Sequence, residues 1–521
     1  MRPLFSLVAP IALMLAACGD DKGATASDSD TSGDTSTGTT TDTATASDPG
    51  TTTAADPTET PTTAGPTTEP PSTTSTTDTS ATDTDDTTSD TSMPMPACGD
   101  ANHFAVGKQP TMEIHVAPDG ADGPACGAED APCQTLGAAA ALAQPGAAIR
   151  LQPGTYAADN FIEDVAGTED APIWIGGTLG DARPVISGGT EGLHLSRVRH
   201  LVIHDLEVEG ASANGINADD GGLVDDPEAT RFVVFERVFI HDIGEGGNQD
   251  CLKLSGLNDF FVLDSEFTGC GEGGSAIDHV GCHHGLILYN QFWDNGGNAI
   301  QTKGGSEDIE IRGNRMTECG QRAVNMGGST GFEFFRPPLT QNGPNAEARN
   351  IRVIANVIVG GDAALAFVGC VDCLAANNTI IRPQQWLLRI LQETVTNNEW
   401  EFAPVGDSRF INNLLVFDRA QISNHVNIGP DTAAETFTFA SNLWFAADQP
   451  DQSSPAGDLP VAETDAIVDT DPALVDLESD FHLTPGSPAI GSGMPLAELT
   501  GDKEFACWSD PPSRGAHEFF E

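Results

Sequence analysis

S-A-N-G-I-N-A-D at 212–219, N-Q-D-C-L-K-L-S at 248–255, G-S-A-I-D-H-V-G at 274–281, N-A-I-Q-T-K-G at 298–304 and R-A-V-N-M-G-G at 322–328 are variants of one phrase. Before each copy stands an apolar segment, at 201–208, 232–240, 260–267, 286–292 and 309–316. Ile277 and Ile300 are 23 residues apart, and Ile300 and Val324 are 24 apart. Self-similarity at that period means a solenoid, in which no repeat buries its apolar face without its neighbours. Apolar and polar residues alternate over short runs, β-branched and aromatic residues are common, and Gly and Asn punctuate every unit. That is the signature of strands and turns rather than of leucine-rich repeats. The expectation is an all-β parallel β-helix.

Asparagines support the same reading. Asn290, Asn314, Asn356, Asn378, Asn413 and Asn442 each stand directly before an apolar step. At a bend of the coil such a side chain turns inward and bonds backbone groups of the coils beside it, forming a ladder. These residues are therefore read as structural.

The two ends differ from the middle. Residues 1–18 read as a lipoprotein signal, with Arg2, an apolar core at 4–17 and L-A-A-C at 15–18. The last four resemble a bacterial lipobox, which implies cleavage before Cys18, acylation of its thiol, and a protein anchored to the membrane. Residues 19–97 collapse to Thr, Ser, Asp, Ala, Pro and Gly, and are read as a disordered tether. The expected location is lipid-anchored at the bacterial cell envelope, at the outer membrane or cell surface. The folded domain, 98–521, is expected outside the cytoplasm and monomeric.

Charge narrows the partners. The chain has 521 residues, 77 of them acidic and 23 basic. The tether holds 15 of the acids, and only Arg2 and Lys22 of the bases precede 98, so the folded part carries a net −41. No nucleic-acid partner is expected at that charge. Ten cysteines besides Cys18 in an exported chain imply disulfides, with Cys126 and Cys133 the first pair to expect. Cys370 and Cys373 lack a second metal-binding half, so they are read as a disulfide or free thiols.

Residues 112–188 read as an opening segment with a strand at 113–117 and an Ala-rich helix at 135–143 that caps the open end. Coils are expected from about 173 to about 445, interrupted by insertions at 332–349 and 393–407. V-A-P-D-G at 116–120, P-G-T-Y, A-P-I-W-I, D-F-H-L-T-P-G-S-P-A-I-G-S-G at 480–493 and the closing G-A-H-E-F resemble the pectate-lyase-like right-handed β-helix superfamily. The resemblance covers most of 112–520 and concerns the scaffold, since this fold hosts lyases, hydrolases, epimerases, esterases and adhesins.

Alternation assigns the candidate site. If Ile216, Leu252, Ile277, Ile300 and Val324 point into the coil, then Asn217, Lys253, Asp278, Gln301 and Asn325 point out. A second outward column reads Asp219, Ser255, Val280, Lys303, Gly327, and a third Asn214, Asp250, Ser275, Asn298, Arg322. With neighbouring coils about 4.8 Å apart, these make one polar wall of mixed charge. The alternative is a plain solvated face. Arg389 and Trp386 extend the wall toward a sugar ring.

Elimination on a uronate needs a neutraliser for the carboxylate, a base for the proton beside it and an acid for the leaving oxygen. The passage around Lys253 is similar to the chondroitinase-B and alginate-lyase family (polysaccharide lyase family six). That resemblance implies Lys253 as the base within C-L-K-L-S, with the acid one coil on. The family has an arginine where this chain has His279, and its calcium-binding glutamates are replaced by Gly246 and Asn248. The candidate catalytic set is Lys253, His279, Asp278, Lys303 and Arg322, and the substrate-binding set Asn217, Gln301, Asn325, Arg389 and Trp386. Strict alternation turns His279 inward, so a bulge is needed to bring it to the wall; His283 and His284 are alternatives. Glu245, Asn248 and Asp250 form an oxygen-only set that suits Ca²⁺.

The leading expectation is a polysaccharide lyase. A glycoside hydrolase using Asp219 or Asp220 with Asp250 and Asp278 is the alternative, and a glycan-binding adhesin is the third.

Overall fold

Parallel pairing runs through three sheets of 13, 10 and 12 strands. The computed structural model describes residues 98–244 and 247–521. Cys18, the leader 1–18, the tether 19–97 and Glu245 lie outside the described residues. A single coil visits the sheets in turn: Leu257–Leu263 in the first, Glu266–Thr268 in the third, Ser275–Val280 in the second, then His283–Leu288 back in the first. Each strand pairs with its counterpart one coil away, so no coil is stable alone. The parallel β-helix read from the repeat is present.

The coils begin earlier than the alternation at 173 suggests. Met112–Val116 and Ala147–Leu151 pair Ile114 with Ile149 and open the first sheet. Each is only five residues long, and a Gly- and Asp-rich stretch separates them, so periodicity alone leaves them isolated. At the other end, Ile467–Val468 joins the third sheet beyond Leu443–Ala446.

The helix is a single short turn, Leu136–Ala140, rather than 135–143. Thr135 caps it, its Oγ accepting from the Ala138 N–H at 3.2 Å. Leu136, Ala139 and Ala140 are buried against the opening strands and Asn160–Glu163. Among the described residues no helix is long and apolar enough to cross a membrane.

The asparagine ladder is complete. Asn314 Oδ1 accepts from the Asn290 N–H at 2.8 Å and from Asn290 Nδ2 at 3.0 Å. Asn314 Nδ2 donates to the Ile287 carbonyl at 2.9 Å. The same contacts link Asn314 to Asn356, Asn356 to Asn378, Asn378 to Asn413 and Asn413 to Asn442. Glu463 terminates the ladder by accepting from the Asn442 backbone and side chain. At the other end Ser265 takes the place of an asparagine, its N–H donating to Asn290 Oδ1 and its Oγ accepting from the Val238 N–H. The residue before each rung, Asp264, Tyr289, Gly313, Ala355, Asn377, Asn412 and Ser441, has φ between 46° and 66°. That left-handed bend turns the chain from the first sheet into the third.

Both insertions leave the second sheet at the same corner. One separates Arg322–Gly327 from Ala348–Ile354, the other Trp386–Leu391 from Arg409–Ile411. They bond each other: the Asn345 N–H donates to the Glu401 carbonyl and the Ala403 N–H to the Asn345 carbonyl, both at 2.8 Å. Phe402 packs against Phe332 and Phe335. Disulfides join Cys126 to Cys133, as the turn between them suggests, and also Cys98 to Cys507, Cys251 to Cys270 and Cys370 to Cys373.

Candidate functional site

Within the second sheet, Ile216, Leu252, Ile277, Ile300 and Val324 stack in register and are fully buried. The residue after each stacks in register too, giving Asn217, Lys253, Asp278, Gln301 and Asn325 as one column. It extends through Ala366 to Arg389 and Asn427, and backward through His194 to Phe161. At about 4.8 Å per coil this column runs about 40 Å, the length of several sugar rings.

Its middle is a tight charge cluster. The Lys253 ammonium bonds Asp278 Oδ2, lies 3.2 Å from Asp250 Oδ2, and shares Asp278 Oδ2 with Lys303 Nζ at 3.6 Å. Asp250 and Asp278 are each 1% exposed, whereas the Lys253 side chain is 21% exposed. Asp250 Oδ1 accepts from the Ser275 N–H at 2.7 Å, and the Asp250 N–H donates to Asn214 Oδ1. Asp278 Oδ1 is buried without a hydrogen-bond partner, an unusual state for a buried carboxylate oxygen.

Burial and charge then oppose each other. Burial by itself lowers the pKa of the Lys253 ammonium, but Asp250 and Asp278 reverse that and hold it above the ordinary lysine value. Burial pushes the Asp278 carboxyl up, yet Lys253 and Lys303 bring it down to about 2. Burial raises Asp250 against the pull of Lys253. The cluster thus holds a protonated lysine, an ionised Asp278 and an Asp250 biased toward the neutral acid.

Other candidates fall elsewhere. His279 does not reach the wall: it is fully buried in the core with its ring 5.8 Å from Phe260, and burial lowers its pKa to about 3. No bulge interrupts the register there, since Leu254, His279 and Thr302 pair in sequence. His283 and His284 belong to the first sheet rather than to a turn on the wall. Arg322 is turned from the cluster toward Glu393 at 2.8 Å and Asn325 at 3.2 Å. Trp386 and Arg389 stand together, the guanidinium 4.1 Å from the ring centroid, and Arg389 Nε donates to Asn427. They lie four coils from Asp278.

Of the calcium candidates, Glu245 lies outside the described residues, and the other two do not form a ready cage. Asn248 is exposed, and both Asp250 oxygens are already used by Ser275 and Lys253. A cation at Asp250 has to displace the Lys253 ammonium.

Several residues of this face escaped the sequence reading. His194 sits between Glu191 at 2.9 Å and Asp219 at 2.7 Å. Burial lowers its pKa, but those two carboxylates raise it to about 9, leaving a cation two coils from Lys253. The signal was present: L-H-L-S at Leu193–Ser196 is the same phrase as L-K-L-S at Leu252–Ser255. Arg336, from the first insertion, forks onto Asp220 with Nε–Oδ2 2.6 Å and Nη2–Oδ1 3.1 Å. Glu347, buried, accepts from the Gly304 and Thr330 N–H groups and from the hydroxyls of Thr330 and Thr394. These two side chains fix both insertions beside the wall. Asp219 and Asp220 are thereby committed to His194 and Arg336.

Residues 191–380 match the family described as the right handed beta helix region. With the three parallel sheets this establishes the right-handed β-helix implied by the superfamily resemblance. None of the curated protein sequences compared with the chain matches it. Among 53 matching solved chains is the pectate lyase Pel9A, 15% identical over 79% of this chain and 97% of that one, with a TM-score of 0.47. An alginate lyase from Paenibacillus sp. str. FPU-7 is 16% identical over 61% and 97%, with a TM-score of 0.41. A lacto-N-biosidase from Eubacterium ramulus is 15% identical over 64% and 67%, with a TM-score of 0.37. At these identities the likeness says nothing of substrate or reaction, which the side chains must decide.

Proposed function

We propose that the second-sheet wall binds a uronate-containing polysaccharide and cleaves it by β-elimination, with Lys253 as the proton-transfer group. The observation that supports this most is the partly exposed Lys253 ammonium over two buried carboxylates, with Lys303 beside it. Two positive groups at the centre of a long polar column suit a polymer that carries one carboxylate per ring. In this reading the substrate carboxylate is neutralised by Lys303, neutral Lys253 takes the proton alpha to it, and the ammonium so formed returns a proton to the leaving oxygen as its bond to carbon breaks. Asp278 is ionised and cannot donate a proton; it positions Lys253.

A hydrolase is the second reading. It is favoured by the opposite shifts of Asp250 and Asp278, since paired carboxyls pushed apart in pKa mark an acid and its ionised partner. Their burial beneath Lys253 argues against direct contact with a sugar.

Product chemistry tests the proposal. On alginate, pectate and chondroitin-type substrates, elimination yields an unsaturated uronate that absorbs in the ultraviolet. Reducing ends without that absorbance mean hydrolysis, and neither product means a binding protein. The proposal extends to location: the leader and tether place this domain at the cell envelope through a lipid on Cys18, and the helix at 136–140 shields the open end of the coils.

A further inference from the structure

D-F-H-L at 480–483 and A-H-E-F at 516–519 follow the last coils and take no part in the wall. The fold brings them together. The Lys503 N–H donates to the Ala516 carbonyl at 2.9 Å and the Glu518 N–H to Asp502 Oδ2 at 2.9 Å, which sets residue 504 beside residue 517. The His482 and His517 rings lie 4.1 Å apart between centroids. His482 Nε2 is 3.1 Å from Glu504 Oε2. One ligating atom from each of His482, Glu504 and His517 lies within 4.8 Å of the others.

Two independent features show that this is more than an acidic cluster. His517 is only 7% exposed, and its Nδ1 is buried with no hydrogen-bond partner. A buried ring nitrogen left unpaired loses free energy unless something binds at that ring. On the other side, Asp480 Oδ1 holds His482 Nδ1 at 2.5 Å. That is the carboxylate–histidine arrangement that fixes a tautomer and directs Nε2 toward a metal. A cavity of about 300 Å³ adjoins the group, lined by His482, Asp502, Glu504, Glu518 and Phe520.

We propose that His482, Glu504 and His517 bind one divalent cation of the zinc class, with a fourth position open to the cavity. Two imidazoles and one carboxylate suit Zn²⁺, Co²⁺ or Ni²⁺, whereas Ca²⁺ and Mg²⁺ prefer all-oxygen sets. Lys503 and Arg315 lie near and oppose a cation, so all three donors are needed. The donors come from three stretches outside the regular coils, so the ion ties down the C-terminal segment that Cys507 also anchors to Cys98. The other His-carboxylate group, Glu207, Glu209 and His241, is different: it offers one imidazole rather than two, and it has no counterpart of the buried, unpaired His517 nitrogen.

The test uses the mature protein stripped with chelator and titrated with ZnCl₂, CoCl₂, CaCl₂ or MgCl₂ by calorimetry and thermal melting. One equivalent of Zn²⁺ is expected to bind and raise Tm by mass action, Co²⁺ to give a tetrahedral absorption band, and Ca²⁺ and Mg²⁺ to do neither. Glu504→Gln, at an exposed position, is expected to weaken Zn²⁺ by more than about tenfold, and His517→Ala to do the same. His241→Ala is expected to leave binding unchanged. No Zn²⁺ binding by the wild type, binding that survives Glu504→Gln, or binding lost with His241→Ala overturns the assignment.

Discussion

Lys253 Nζ stands 3.2 Å from Asp250 Oδ2 and also bonds Asp278 one coil on, so a single ammonium bridges two carboxylates nearly closed to water. Both carboxylates stabilise the protonated lysine, and so its pKa lies above the ordinary value. The base form is the neutral amine, which becomes more abundant as pH rises. Elimination by the wild type is therefore expected to climb into the alkaline range, with log rate rising at a slope of about one. Initial rates from ultraviolet absorbance between neutral and alkaline pH check this. A plateau reached below neutrality contradicts it.

The ladder gives a prediction independent of chemistry. Asn314 accepts from Asn290 and donates to Ile287 and Asn356 while fully buried. Asn314→Ala leaves those groups unpaired and is expected to cost about 1–3 kcal/mol in denaturant unfolding. Activity per folded molecule should be unchanged, since the ladder lies on a bend away from the second sheet.

Arg336 and Asp220 form a buried pair that pins the first insertion to the wall. Arg336→Met leaves the Asp220 charge unpaired and is expected to cost about 3–5 kcal/mol. Adding Asp220→Asn should recover much of that loss in thermal melting. Equal losses in the single and double variants show that the pair is not the source.

Much of this was legible in the sequence, for physical reasons. A coil repeats one phrase because each strand must match its neighbour, so Ile277, Ile300 and Val324 reveal both register and direction, and Asp278 and Gln301 follow from alternation. Asn290 through Asn442 are legible because a buried amide has to be paired. His279 is where the inference broke: it follows alternation strictly, and only the family comparison suggested otherwise. The Arg336–Asp220 pair spans 116 residues and leaves no local pattern. Met112–Val116 escaped the coils because its partner strand lies beyond a long irregular loop.

The role of Lys253 is tested most directly by comparing Lys253→Ala with Asp278→Asn on a uronate-containing substrate that the wild type cleaves. Ultraviolet absorbance of the unsaturated product and reducing ends are followed together. Lys253→Ala is expected to abolish the absorbance, and Asp278→Asn to shift the rate profile to lower pH by removing one of the charges that hold the ammonium. Wild-type elimination by Lys253→Ala contradicts the account, as do reducing ends formed without absorbance and lost with Asp278→Asn.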